Sequence, residues 1–437
     1  VVLSNNDRCV VARSKEVKAM GIPEGMPYYQ LKEQYPNSGI VAFSSNYALY
    51  GDMSSRIVSI LREEAPDVIQ YSIDEAFLDL TGMDNIDLHK WGEQLCRKVL
   101  KCTGMPISLG IAPTNTLAKM ASKYAKKYPA YNKCCVIGTE EQREKALRLF
   151  PVGDVWGIGR RIRRNLEYLG VNTAYDFSAL SKDYVRRKFH VTGERTWKEL
   201  NGEPCIAVDG LDGVTKKTIV TSRSFPEMIR ELADLRSHIA NYAARCAVKL
   251  RRQKSVCSMV TAFIQSNHFR EDLIQYDNSA SHSFLTPTNT TSEIVGMATS
   301  ILEAIFRKGI YYKRAGIMVS GISPADSIQP DLFEYNPERS QKLKALSTAL
   351  DRINGKMGAD TLMLGSQQYK DKSDDGKSIK FVNAIRRAMK SPDYTTCLGA
   401  FTVNLSNQSL QSEKNKNDVG VILGRNLHKP LLRDRFS

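Results

Sequence analysis

The sequence predicts a multidomain chain of the α/β (α+β) class. Three observations lead there. Short alternating apolar runs flank the pair Asp74-Glu75 and read as two strands of a hairpin. Apolar residues recur at helical spacing before and after that hairpin, as at Met53, Ile57 and Leu61. Beyond a Gly/Asp-rich stretch at 208–214, the pattern runs strand, helix, strand, strand, helix, strand. A chain of 437 residues can bury a sizeable core, in roughly two to four domains.

Taken in order, residues 1–40 read as a strand at 9–12 and a helix at 14–20, stopped by Gly21 and Pro23. Residues 41–137 carry the Met53 helix, the hairpin, a helix at about 88–101, a strand at 106–111 and a basic helix at 115–127. This is a small α/β domain that holds the carboxylates. Residues 138–205 read as mostly helical with short connections, and 206–215 as a linker. Strands are expected at 218–225, 256–265, 282–286 and 314–320, with helices at about 229–252 and 291–308. Over 216–322 that order is a split-βαβ sandwich with one open sheet face. Residues 323–437 read as a tail, with helical character at 343–353, a polar flexible stretch at 367–377 and a disordered composition at 406–418.

Lys and Arg number 62 against 47 Asp and Glu, so the net charge is +15 and the pI near 9.3. An excess of this size suggests a polyanionic partner, although a merely soluble basic protein has the same composition. Nine cysteines form no Cys-x-x-Cys pair, which reads as reduced thiols in a cytoplasmic protein. No apolar run approaches the roughly 20 residues of a membrane helix, so no membrane partner is expected. No signal peptide is visible, and the chain opens in mid-strand at Val1-Val2-Leu3.

Two features bear chemistry. Neighbours on a flat strand face opposite ways, so Asp74 and Glu75 can share a metal only if the chain turns sharply between them. A hairpin tip allows that, and Mg²⁺ accepts one or two carboxylates plus substrate phosphates. The alternative is a solvated turn. The second feature is Val152-Gly153-Asp154-Val155-Trp156-Gly157-Ile158-Gly159-Arg160-Arg161. Gly157 and Gly159 suit a helix-hairpin-helix turn that admits a phosphate to the free N–H groups of the next helix. Arg160, Arg161, Arg163 and Arg164 add charge and favour contact with a DNA backbone. An ordinary αα-hairpin with a basic exposed face is the competing reading.

The string Ser72-Ile73-Asp74-Glu75-Ala76-Phe77-Leu78-Asp79 resembles the metal-binding motif of the Y-family translesion DNA polymerases. The wording is closest to the UmuC type, the catalytic subunit of bacterial polymerase V. Similar strings are Val2-Leu3-Ser4-Asn5-Asn6-Asp7, Phe43-Ser44-Ser45-Asn46-Tyr47-Ala48-Leu49-Tyr50 and Gly110-Ile111-Ala112-Pro113-Thr114-Asn115-Thr116-Leu117-Ala118-Lys119. Ser391-Pro392-Asp393-Tyr394-Thr395-Thr396 extends the likeness to about Thr396.

The resemblance implies a right-hand polymerase. Fingers would span 1–40, N-terminally truncated. The palm would span 41–137, a helix-hairpin-helix thumb 138–205 and a little finger 216–322. It implies error-prone translesion synthesis in the SOS response to DNA damage. A primer 3′-hydroxyl would attack the α-phosphate of a dNTP with two Mg²⁺ ions bound. Asp74 and Glu75 match the catalytic metal ligands, Ser72 supports the motif, and Asp79 is structural. Lys18 and Lys126 fall where the family places cations on the triphosphate, although Lys15 stands where a tyrosine is common. Arg223, among the basic residues flanking the little finger, would contact DNA.

The resemblance also implies partners. Gln329-Pro330-Asp331-Leu332-Phe333 is similar to the peptide with which bacterial polymerases dock on the sliding clamp, with Gln329 hydrogen-bonding and Leu332 and Phe333 filling an apolar pocket. UmuC-type enzymes work with a UmuD-like dimer and a RecA filament, which implies a bacterial, nucleoid-associated protein. The family's first motif, with an aspartate that binds both metals, would precede Val1. Its absence predicts an impaired catalyst, and the alternative function is a non-catalytic DNA- and clamp-binding fragment.

Overall fold

The computed structural model describes residues 1–83, 85–210, 215–331, 336–358, 360–367 and 389–391, plus a short backbone strand pair at Tyr369–Lys370 and Ile379–Lys380. It divides into two units: Val1–Val214 with Ile385–Ser437, and Thr215–Ala384.

The first unit opens with β1 (Val2–Leu3), β2 (Val10–Ala12), α1 (Lys15–Ala19), α2 (Tyr28–Gln34) and β3 (Phe43–Ser44). The sheet order is β2-β1-β3, with β1 antiparallel to β2 and parallel to β3. β3, expected to open the second domain, therefore completes the sheet of the first. Leu3, Val10, Val17, Ile22 and Leu31 close a small core over it.

Next come α3 (Tyr47–Glu64), β4 (Asp67–Gln70), β5 (Ala76–Asp79), α4 (Leu88–Thr103), β6 (Leu109–Ile111), α5 (Asn115–Lys127) and β7 (Cys134–Val136). β4 and β5 form the expected antiparallel hairpin, with Gln70 opposite Ala76. Helices α3 and α4 bury Ile57, Val58 and Leu61, and Leu95, Cys96 and Val99. These 3–4 spacings put one stripe of each helix inward. β6 pairs with β7 in parallel, a two-stranded sheet separate from the hairpin. A Cβ on Gly110 would lie 2.1 Å from the Ala118 carbonyl oxygen and the Ser122 nitrogen, so only glycine lets β6 cross α5 this closely.

The helical part follows: α6 (Glu140–Leu149), α7 (Arg160–Tyr168), α8 (Ala174–Ser178) and α9 (Lys182–Leu200). They share a core with α5 around Leu117, Tyr124, Leu147, Leu166, Phe177 and Leu200. α9 breaks its helical path at His190, whose φ is 61° and ψ −162°.

The second unit holds β8 (Ile219–Ile229), α10 (Leu232–Arg252), β9 (Ser255–Gln265), β10 (Asp277–Thr288), α11 (Thr291–Ile305) and β11 (Tyr312–Pro324). The sheet order is β10-β9-β11-β8, antiparallel throughout. Hence β8 and β9 run parallel on either side of β11, and β10 and β11 run parallel on either side of β9. This is the expected split-βαβ pattern, used twice. Both helices cover one face, burying Leu235, Ile239, Leu250, Ile264, Ile301 and Ile317.

The expected tail does not begin at 323. Helix α12 (Pro337–Met357) is fastened to the second unit by Arg251, whose guanidinium donates to both Asp351 carboxylate oxygens at 2.7 and 2.8 Å. Buried Asn241 and Gln367 exchange two further hydrogen bonds. Among the described residues no helix is long and apolar enough to cross a membrane.

Candidate active site

The site is built on the β4–β5 connection. The Tyr71 and Ser72 N–H groups both donate to the Glu75 carbonyl at 3.0 Å, closing a tight loop over 71–75. The Ser72 hydroxyl donates to the Asp74 carboxylate and accepts from the Asp74 N–H at 3.2 Å. Serine thus orients the aspartate. Asp79 instead bonds Thr81 on the exposed end of β5, consistent with structure and not chemistry.

Helix α5 supplies the facing cations. Its buried residues Leu117, Met120, Ala121, Tyr124 and Ala125 follow helical spacing, which leaves Lys119, Lys123 and Lys126 along another face. The Lys119 ammonium lies 3.1 Å from the Glu75 carboxylate. Lys126 is half-buried, and burial pushes its pKa down to about 8. Lys18 on α1 pushes the same way, while Asp74 and Glu75 push back. Lys18 is itself held below the usual lysine range, by burial first and then by Arg13. Lys18, Asp74 and Glu75, from two other chain segments, are therefore in electrostatic reach of Lys126.

Two hard carboxylates fit a divalent cation that completes its shell with water or phosphate oxygens. Among the described residues no cluster of three or more potential ligands occurs.

Helix α5 is held at its N-terminus by a buried carboxylate. Glu199 of α9 is fully buried. It accepts from the Thr116 N–H at 2.9 Å and from the Cys205 and Ile206 N–H groups at 2.9 and 3.0 Å. A carboxylate at free N–H groups of a first turn is favoured by both hydrogen bonding and the helix dipole.

At the expected helix-hairpin-helix, a three-residue 3-10 turn (Val152–Asp154) stands before the glycines, and α7 follows them. Gly157 has φ 95°, and a Cβ there would sit 2.5 Å from the Thr196 hydroxyl oxygen, so backbone and space both demand glycine. Gly159 is the N-cap of α7, with no side-chain cap hydrogen bond and nothing within 4 Å of its would-be Cβ. Arg160, Arg161 and Arg164 are exposed, whereas Arg163 is paired with Glu167 at 2.6 Å.

Residues 1–123 match the impB/mucB/samB family, 216–332 match that family's C-terminal domain, and 344–403 match a domain of unknown function, DUF4113. The chain is 42% identical to Protein UmuC of Salmonella typhimurium, covering 91% of this chain and 92% of that protein. The chain belongs to the impB/mucB/samB (UmuC) family. Membership makes it a Y-family DNA polymerase, an enzyme of translesion synthesis, and these relatives lend no support to a non-catalytic fragment. DNA polymerase IV of Clostridium acetobutylicum is 23% identical, over 81% of this chain and 85% of that one. A solved Y-family DNA polymerase chimera built on Dbh matches with TM-score 0.58 at 18% identity, covering 72% of this chain and 88% of the other, which speaks for the fold.

Other expected site residues fall differently. Arg223 lies on β8 between Thr221 and Phe225, two residues turned toward the helices. Its charge acts on His238 and Tyr242 of α10, so it belongs to the helix-covered side and not to the open face. The cause is the twofold alternation of a strand. Arg314 takes the open face instead, donating to Ser222 at 3.0 Å. Gln329 is exposed and Asp331 donates its N–H to Thr286 at 2.9 Å, while Leu332 and Phe333 lie outside the described residues.

Three residues at the site had no role assigned from sequence: Lys119, Trp156 and Glu199. Lys119 had a signal, because it precedes Lys126 by two helical turns. Glu199 had none, since an acidic residue late in a basic helix reads as solvated.

Proposed function

We propose that the site binds a dNTP with its divalent cation and adds the nucleotide to a primer opposite damaged template. The observation that carries this is the carboxylate pair at the hairpin tip facing the cations of α5, with Lys119 3.1 Å from Glu75 and both carboxylates and Lys18 acting on Lys126. Asp74 and Glu75 would hold the cation, two in the family's mechanism, and when bound it would stabilise charge on the reacting phosphate oxygens. Lys126 and Lys18 act as point charges on the triphosphate. Burial disfavours their charged forms in the free site, so an incoming phosphate restores what desolvation removed. Ser72 and Lys119 hold the two carboxylates in place.

Gly157 and Gly159 open the backbone to DNA phosphates, and Arg160, Arg161 and Arg164 supply sequence-independent attraction. In this reading the first unit contains fingers, palm and thumb, and the second the little finger. Gln329-Pro330-Asp331-Leu332-Phe333 would dock on a sliding clamp, and a UmuD-like dimer and RecA filament would act with the chain at the bacterial nucleoid.

The test is dNTP binding and single-nucleotide incorporation on primer–template DNA with an abasic site. Asp74→Ala should abolish incorporation, and Lys126→Ala should weaken dNTP binding by about tenfold, or about 1.4 kcal/mol. Nucleotide binding indifferent to both substitutions would refute the assignment.

A further inference from the structure

Met389, Lys390 and Ser391 sit in the first unit, although they follow α12 of the second. Buried Ser44 on β3 captures Met389 at two points. The Ser44 N–H donates to the Met389 carbonyl at 2.8 Å, and the Ser44 hydroxyl accepts from the Met389 N–H at 3.0 Å. The same hydroxyl donates to the Asp7 carboxylate at 2.9 Å, which fixes its direction. The Met389 side chain packs on the core that contains Leu3, Val10 and Val17, with its sulfur 3.7 Å from the Tyr28 hydroxyl. Lys390 bridges Ser44 in parallel register and points outward, and Ser391 accepts from the Asn46 amide at 3.4 Å. Alternate residues thus face in, out and in, as in an added strand.

We propose that Ser44, Tyr28 and Asn46 form a receptor for this chain's own Met389-Lys390-Ser391. This strand addition caps the β3 edge and steadies the core under α1. It gives the matched segment of unknown function a task, namely anchoring in both units, through Asp351 in one and Met389 in the other. Val17 lies in that core and Lys18 follows it, so release of Met389 loosens the α1 cation. This last step rests on the nucleotide reading above. The docking itself does not.

The experiment is hydrogen exchange of the full chain, read by mass spectrometry, for wild type, Met389→Asp and Met389→Leu. Peptides spanning 40–47 should exchange about tenfold faster in Met389→Asp and at the wild-type rate in Met389→Leu, with β9 and β11 unchanged. Equal exchange in all three proteins overturns the docking. A full chain carrying Asn46→Cys and Ser391→Cys gives a second test that needs no destabilised variant. Mild oxidation should join the two peptides, and no linked peptide counts against the proposal. In a parallel dNTP titration, Met389→Asp should raise the dissociation constant several-fold. Faster exchange without any nucleotide binding by the wild type would leave the docking standing and remove the polymerase-site reading.

Discussion

Lys119 and Glu75 are joined across 44 residues of sequence by a 3.1 Å ion pair inside an aromatic enclosure. The ammonium lies 4.6 Å from the centre of the Trp156 ring, 5.0 Å from Tyr71 and 5.8 Å from Phe77. Aromatic faces attract a cation and keep water from it, so the lysine is held to one position and the carboxylate with it. Trp156 comes from the turn that leads into α7, so that turn and the hairpin tip share one anchor.

Lys119→Met should therefore keep the enclosure filled while freeing Glu75. Nucleotide incorporation is expected to fall about tenfold, the loss of about 1.4 kcal/mol of positioning. The check is single-turnover incorporation at saturating Mg²⁺, with thermal unfolding as the control for fold. Wild-type incorporation by this variant would show that the ion pair does not position the carboxylate.

Glu199→Gln tests the anchor of α5. The amide retains one acceptor, but its NH₂ group opposes N–H groups that now meet a carboxylate. The expected cost is about 2–3 kcal/mol of stability, the scale of a buried charged hydrogen bond lost without replacement. Urea unfolding of the two proteins measures it, and a difference below about 0.5 kcal/mol would contradict the account.

Replacing Arg160, Arg161 and Arg164 by alanine should make duplex binding less salt-sensitive. Three lost phosphate contacts reduce the slope of log K against log salt by about 2–3. Arg163→Ala should change it less, because that guanidinium is already paired with Glu167. Fluorescence anisotropy across a salt series decides, and an unchanged slope in the triple variant would remove α7 from the DNA surface.

His238 makes the second unit acid-sensitive. Burial, and after it the charge of Arg223, push its pKa down to about 4. The unfolded chain takes up the proton near the usual value of about 6.5, whereas the folded unit resists until about 4. Its contribution to stability is therefore complete above the unfolded value and is lost as pH falls through that window. His238→Phe, packed against Phe225, should unfold with less dependence on pH between 7 and 4.5. Parallel slopes for variant and wild type would disprove this.

Much of the fold was legible because it is written in local periodicity. Alternating residues on either side of Asp74-Glu75 define a hairpin wherever it is placed, and the stripe from Leu117 to Ala125 defines which side of α5 is buried. The split-βαβ order could be read the same way. Strand ends were less legible: β10 begins at Asp277, before its apolar residues, because cross-strand pairing with β9 extends it. The face that Arg223 joins was not legible, because Ile219 and Val220 are both apolar and leave the face of β8 open until the helices cover one side.

By itself, then, the sequence determined most of the elements, their apolar faces, the hairpin that carries Asp74 and Glu75, and the basic charge of the chain. Only the tertiary structure decided which polar groups meet. Lys119 finds Glu75, Glu199 finds the start of α5, Asp351 finds Arg251 and Met389 finds Ser44, across separations of 44, 83, 100 and 345 residues. The reason is physical. Periodicity reports burial, an average property of a face, whereas a hydrogen bond or ion pair needs two particular groups within about 3 Å, and packing alone sets that distance.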